Sequence, residues 1–218
     1  MDTGPILERA YAETGGMGYI GKNTCLITQK YGSWVFLAEI LTTLELPRDT
    51  NSLKINCGTC ERCINLCPTR AINPNGTIDS RKCISYLTIE NRDGIPLELR
   101  DKVGDWLFGC DICQEVCPHN SRQVPANLSG NTEIRIKDRV LALSDILAIE
   151  TDEQFLNMFS GTPLMRAKRR GLTRNACVVA GNSGQKKLIP LLIKITQGDD
   201  AMLKEHASWA INKILNEN

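Results

Sequence analysis

Apolar residues recur at helical spacing through the last third of the chain. Residues 164–179, 185–197 and 201–215 each read as a helix, with turns at Asn182-Ser183-Gly184 and Gly198-Asp199-Asp200. The first fifty residues follow a different pattern. A helical opening at 6–14 leads into the Gly-rich turn Gly15-Gly16-Met17-Gly18-Tyr19-Ile20-Gly21-Lys22-Asn23, then a strand candidate at 24–28. A second apolar run, 34–44, fits helix or strand equally by periodicity. Residues 51–125 hold neither period for long and read as loops with short helices. The chain therefore divides into 1–50, 51–125 and a helical 126–218. Met1 is followed at once by Asp2-Thr3-Gly4-Pro5 and a helix, which reads as entry in the middle of a domain.

The middle section carries the chemistry. Eight of the ten cysteines fall in two runs and the link between them: Cys57-x2-Cys60-x2-Cys63-x3-Cys67-Pro68, then Cys83, then Cys110-x2-Cys113-x3-Cys117-Pro118. The C-x2-C-x2-C-x3-C-P spacing is the bacterial pattern for [4Fe-4S] ligands, in which the fourth Cys serves the other cluster. Crossing the runs in that way yields two sets: Cys57, Cys60, Cys63 and Cys117, and Cys67, Cys83, Cys110 and Cys113. The second run lacks a middle Cys, since Gln114 to Val116 hold none, and Cys83 supplies it. Proline after the last Cys suits a first helical position, where no N–H is needed.

Zinc favours isolated Cys pairs, which neither run resembles. A disulfide framework is unexpected in 218 residues that are 42% hydrophobic and open without a signal peptide. Cys25 and Cys177, in apolar surroundings, are expected to be buried small hydrophobes. The net charge is +1, and no apolar run is long enough to span a bilayer. Thiolate ligands imply a reducing compartment, so the expected location is cytoplasmic.

In the helical section, Arg174-Asn175-Ala176, Ala180-Gly181-Asn182, Ile189-Pro190-Leu191-Leu192 and His206-Ala207-Ser208-Trp209-Ala210 resemble a HEAT-like repeat, a stacking helix pair that presents an extended surface. Beside it lies the densest charge cluster of the chain: Arg166, Lys168, Arg169, Arg170 and Arg174, with no acid between them. Such a run can be a solvated helix face. Next to a repeat surface in a neutral protein, it can equally be a phosphate footprint.

Taken together, these residues resemble the epoxyqueuosine reductase family. The resemblance is carried by Asp2-Thr3-Gly4-Pro5, Gly18-Tyr19-Ile20-Gly21-Lys22-Asn23, Gly32-Ser33-Trp34, Glu39-Ile40-Leu41-Thr42 and Leu46-Pro47. It continues in both Cys runs, Arg81-Lys82-Cys83-Ile84-Ser85-Tyr86-Leu87-Thr88, Phe108-Gly109-Cys110-Asp111 and the helical tail. It implies an α+β protein with three parts. These are part of a cobalamin-binding α/β region, a ferredoxin-like double-cluster module and a C-terminal HEAT-like α-helical repeat. It further implies that roughly a domain's worth of family sequence, expected ahead of Asp2, is not in this chain.

The implied reaction is reduction of epoxyqueuosine to queuosine in tRNA, the last step of queuosine biosynthesis. Electrons from an external donor would pass through two [4Fe-4S] clusters to cobalamin. A departing oxygen must be protonated, and the match makes Asp2 the acid; Asp before Thr-Gly-Pro is also an ordinary helix N-cap. The Gly-rich turn lacks P-loop and dinucleotide spacing. In the family it brings backbone against the corrin. Gly21, Lys22, Leu26, Leu37, Ser85, Cys110 and Asp111 align with cobalamin contacts, though core or turn roles explain them as well. Arg92 joins the basic run as a tRNA contact, with a solvated surface Arg as the alternative. The remaining implications are a monomer, with tRNA carrying epoxyqueuosine and an electron donor as partners, and no membrane.

Two other functions share features. A reductive dehalogenase-like corrinoid enzyme would have the clusters and the corrinoid, and a stand-alone electron-transfer ferredoxin would have the clusters alone. Neither requires the basic run at Arg166–Arg174.

Overall fold

A computed structural model describes residues 6–47, 56–120 and 142–216. In chain order its elements are α1 (Glu8–Thr14), β1 (Tyr19–Ile20), β2 (Leu26–Ile27), α2 (Arg62–Leu66), α3 (Ile84–Ile89), α4 (Leu97–Val103) and α5 (Ile112–Glu115). Then follow α6 (Leu143–Leu147), α7 (Asp152–Phe159), α8 (Lys168–Ser183), α9 (Ile189–Thr196) and α10 (Ala201–Asn216). Short 3-10 turns at Pro163–Ala167 and Lys186–Leu188 lead into α8 and α9.

The chain forms two compact units that regroup the three expected sections. One contains the described residues up to 79 and from 111 to 120, and the other contains 80–110 and 142–216. The segment around Cys83 thus belongs with the helical tail.

In the first unit, β1 and β2 form a two-residue antiparallel ribbon, Tyr19 opposite Ile27 and Ile20 opposite Leu26. It is shorter than the 24–28 strand expected. Gly18 permits the pairing: a Cβ there would lie 2.6 Å from the Ile27 carbonyl oxygen. The 34–44 run forms neither helix nor strand, and Phe36, Ile40, Leu41 and Leu44 along it are exposed.

The second unit is built around α8, which buries every residue from Gly171 to Gly181. Leu172, Ala176, Cys177 and Ala180 pack into one core with Phe155, Phe159, Leu192, Ala207, Ala210 and Ile214. Gly181 is where α10 crosses: a Cβ would lie 2.6 Å from the Trp209 ring. α8 stops at Gly184 in left-handed conformation (φ 64°), as glycine allows. α7 starts with a capping box, in which Thr151 accepts from Gln154 N–H and Gln154 from Thr151 N–H, both at 3.2 Å.

Polar side chains of α8 hold residues 80–110 in this unit. Asn175 donates to the carbonyls of Thr88 (2.7 Å) and Leu107 (2.9 Å), and Asn182 to those of Arg100 and Gly104, both at 2.9 Å. Arg174, fully buried, donates to the carbonyls of Leu87, Asn91 and Asp93 and to Asn175 Oδ1. The sequence placed Arg174 in a surface charge run. The correction is physical: its position on α8 faces inward, and its donors are taken by backbone acceptors. Burial lowers its pKa to about 10, and neighbouring Arg170 and Arg92 add to the effect.

His206 of α10 is also fully buried. Its Nε2 accepts from Ile95 N–H at 3.0 Å, and its Nδ1 lies 2.8 Å from the Met202 carbonyl. Burial pulls its pKa down to about 4, with the Arg100 and Arg174 charges acting the same way and Glu205 opposing. The unfolded chain therefore binds a proton on His206 between about pH 6.5 and 4 that the folded protein refuses. Stability is full above pH 6.5 and falls as pH drops through that window, by up to about 3 kcal/mol at 1.36 kcal/mol per pKa unit. Urea unfolding from pH 7 to 4.5 should show this slope, and His206→Gln should flatten it. An unchanged slope in the variant would assign the acid sensitivity to other groups.

Candidate functional site

Cys57, Cys60, Cys63 and Cys117 line one open pocket in the first unit, together with Asn23, Ile27, Arg62, Pro118 and His119. Local structure explains how four thiols from two distant runs meet. Cys60 N–H closes a turn on the Cys57 carbonyl at 3.1 Å, with Gly58 between them at positive φ (54°). Cys63 stands on α2, α2 packs on α5, and Cys117 follows α5.

A polar clamp holds the second run. Asn120 Oδ1 accepts from Ser33 N–H at 2.7 Å, and Asn120 Nδ2 donates to Ser33 Oγ (2.8 Å) and the Gln114 carbonyl (2.7 Å). Gly32 is required there, because a Cβ would fall 2.0 Å from Asn120 Oδ1.

The Gly-rich turn faces the cysteines. Lys22 N–H donates to Cys57 Sγ at 3.4 Å, and Lys22 Nζ to the Cys60 carbonyl at 3.0 Å. Buried Asn23 donates to the Cys113 carbonyl (3.3 Å) and accepts from Cys25 N–H (3.2 Å). Cys25 is consequently half-buried with its thiol hydrogen-bonded to that of Cys113, where the sequence suggested an inert core position. Cys177 is buried as expected.

Burial pushes the Cys63 thiol up to about 11, helped by the nearby Cys113, Cys57 and Cys117. Burial likewise raises Cys117. Crowded thiols of this kind ionise readily only when a cationic centre joins them, so the donor set fits an iron–sulfur group.

The second expected ligand set has its members in both units. Cys67 Sγ, in the first, accepts from Ala71 N–H at 3.3 Å and lies 3.6 Å from Thr69 Oγ1; Cys113 is on α5. In the second, Cys83 precedes α3, and Cys110 packs against the core cluster that includes Ile84 and Val103.

The residues aligned with cobalamin contacts have varied surroundings. Gly21 is closed in by Ile27 and Asn23, a Cβ meeting the Ile27 side chain at 2.5 Å, and Leu26 is buried. Leu37 is half-exposed, between the exposed Trp34 and Phe36 on one side and Ile40 on the other. Asp111 precedes α5 and accepts from Gln114 Nε2 at 2.7 Å, and Ser85 is half-buried on α3. Asp2 lies outside the described residues.

The basic run is less bare in three dimensions than in sequence. Arg166 pairs with Glu90, Arg169 with Asp152 (2.6 Å) and Arg170 with Asp200. Arg92 donates to the carbonyls of Arg166 (2.9 Å) and Ala167 (3.3 Å), and Arg170 to the Arg92 carbonyl at 2.9 Å. Exposed Lys168, at φ 59°, has no acidic partner among the described residues. Sequence reasoning missed the roles of Tyr19, Asn23, Ser33, Gln114 and Asn120. Their only signal was membership of, or proximity to, the Gly-rich, Gly32-Ser33-Trp34 and Cys motifs.

Residues 56–120 match the family model of a 4Fe-4S double cluster binding domain. Along its length the chain is 40% identical to epoxyqueuosine reductase of Xanthomonas campestris, over 214 residues that make up 97% of this chain and 59% of that protein. The corresponding enzyme of Pseudomonas aeruginosa is 39% identical over 98% of this chain and 59% of its own length. The chain is similar to epoxyqueuosine reductases along nearly all of its own length. It spans a little under three fifths of the length of these relatives. Solved epoxyqueuosine reductases share the fold: the Streptococcus thermophilus structure has a TM-score of 0.84 at 30% identity, covering 100% of this chain and 57% of that one. An epoxyqueuosine reductase with an epoxyqueuosine-modified tRNA-Tyr stem loop superposes with a TM-score of 0.83 at 32% identity, covering 98% of this chain and 56% of that chain. Among the described residues no helix is long and apolar enough to cross a membrane.

Proposed function

We propose that this chain carries the iron–sulfur and tRNA-facing part of an epoxyqueuosine reductase activity, converting epoxyqueuosine in tRNA to queuosine in the cytoplasm. The observation that carries the reading is the convergence of Cys57, Cys60, Cys63 and Cys117 on one cavity, in a chain related to epoxyqueuosine reductases along almost all its length. These four would hold one [4Fe-4S] cluster, and Cys67, Cys83, Cys110 and Cys113 the other. When bound, clusters and cobalamin supply the two electrons that an external donor provides.

The chain's own residues do the rest. Lys22 and Ala71 N–H groups donate to ligand sulfurs of Cys57 and Cys67. Asp2 delivers a proton to the epoxide oxygen, which leaves as water after two electrons and two protons, restoring the ring alkene. For cobalamin, Gly21, Lys22 and Leu26 are committed to local packing and to the cysteine loop. Leu37, beside Trp34 and Phe36, has apolar surface to offer, and Ser85, Cys110 and Asp111 complete the proposed contacts. Arg166, Lys168, Arg169 and Arg170, on the HEAT-like part, with Arg92 beside them, would meet tRNA phosphates, Arg166, Arg169 and Arg170 exchanging their carboxylate partners for phosphate.

Single-turnover conversion of epoxyqueuosine in tRNA by the protein isolated from its natural source tests the activity, with tRNA affinity measured at two salt concentrations. Replacing Arg166, Lys168, Arg169 and Arg170 by Ala should weaken binding across tRNA sequences and lower the salt slope by as much as about 3, at roughly 0.7–0.9 per phosphate contact. Unchanged tRNA affinity would make the run an ion-paired solvated face. Absence of conversion by the parent would refute the activity.

A further inference from the structure

The Tyr19 hydroxyl makes no hydrogen bond to nitrogen or oxygen among the described residues. It is buried, and the sulfur of Cys57 is the acceptor within its reach. The ring around it is firmly placed. Tyr19 pairs with Ile27 across the ribbon, stands edge-on to His119 at 5.8 Å and 80°, and packs with Ile27, Cys57 and Cys117. The side chain it faces is Cys57, with Cys117 and Cys60 close by. Phenylalanine would fill the same space without the donor.

We propose that Tyr19 is a positioning and tuning residue for the cluster held by Cys57, Cys60, Cys63 and Cys117, its hydroxyl donating to the Cys57 sulfur once that sulfur binds iron. The inference rests on the iron–sulfur reading of those four cysteines. An iron-bound thiolate is a better acceptor than the thiol it replaces, because hydrogen bonds to charged groups are the strong ones. Cys57 Sγ already receives the Lys22 N–H at 3.4 Å, so Tyr19 brings it a second donor, as Cys117 has in the His119 and Asn120 N–H groups. Donors aimed at cluster sulfurs stabilise the added electron and raise the reduction potential. Tyr19 thereby makes this cluster easier to reduce than it would be with an apolar neighbour.

The test is a redox titration of Tyr19→Phe followed by electron paramagnetic resonance, beside iron analysis of the same samples. Iron content should stay at the parent value, while one of the two midpoints moves negative by about tenfold in the reduced-to-oxidised ratio, 59 mV for a one-electron couple. The other midpoint should not move. Placing 3-fluorotyrosine at position 19, a stronger donor of nearly the same size, should shift the same midpoint positive. Unmoved potentials in both variants would overturn the inference, and so would iron loss in Tyr19→Phe, which would make the residue a structural support. A parent protein that takes up no iron would sink the cluster assignment itself, and the inference with it.

Discussion

Anaerobically reconstituted protein is expected to hold about eight irons per chain, and Cys117→Ser about four. Cys117 is the decisive residue because it lies sixty positions from Cys57 in sequence yet lines the same cavity. It is buried against Tyr19 and Ile27, and serine nearly preserves its shape, so loss of iron would report lost ligation and not collapse. Cys83→Ala should remove the other cluster selectively. Cys25→Ala should retain both, since Cys25 touches Cys113 without belonging to either set. The measurement is colorimetric iron with the visible thiolate-to-iron absorption of each variant. Full iron in Cys117→Ala, which leaves no donor atom at that position, would refute the crossed ligand scheme.

The second large effect concerns stability. Arg174→Ala should destabilise the helical unit by roughly 3–5 kcal/mol, from three stranded backbone carbonyls at about 1–3 kcal/mol each, partly relieved by water entering the cavity. The carbonyls of Leu87, Asn91 and Asp93 terminate α3 and begin the loop before α4, so their release would free the segment that carries Arg92. Lysine keeps the charge but lacks the planar fork, and should recover less than half of the loss. Thermal and urea unfolding of the three proteins give the comparison. A loss under about 1 kcal/mol for Arg174→Ala would mean that the guanidinium only fills space, and tRNA affinity lost without any loss of stability would return Arg174 to the surface group.

Much of this molecule was legible in one dimension. The helices of the tail follow the apolar period of their residues, and the turn at Gly184 follows from a residue that tolerates positive φ. Both cysteine runs are readable because cluster ligation demands fixed local spacing. The family resemblance rested on the same short motifs and on residues around them. The grouping of residues 80–110 with the tail was not readable, because it depends on Asn175, Asn182 and Arg174 meeting backbone carbonyls some seventy to ninety positions away.

Sequence alone determined that eight thiols belong to ferredoxin-like runs, since ligand spacing along a loop is a local property. It also determined the helical character of the tail, a matter of short-range periodicity. Only the tertiary structure decided which charges of the basic run face outward, because helix phase and the acids opposite are long-range facts. Arg174 turned inward, and Arg166, Arg169 and Arg170 each found a carboxylate. The tertiary structure alone also set the Tyr19 hydroxyl against Cys57, since the ribbon that carries it and the loop that it faces come from separate parts of the chain and meet only through packing.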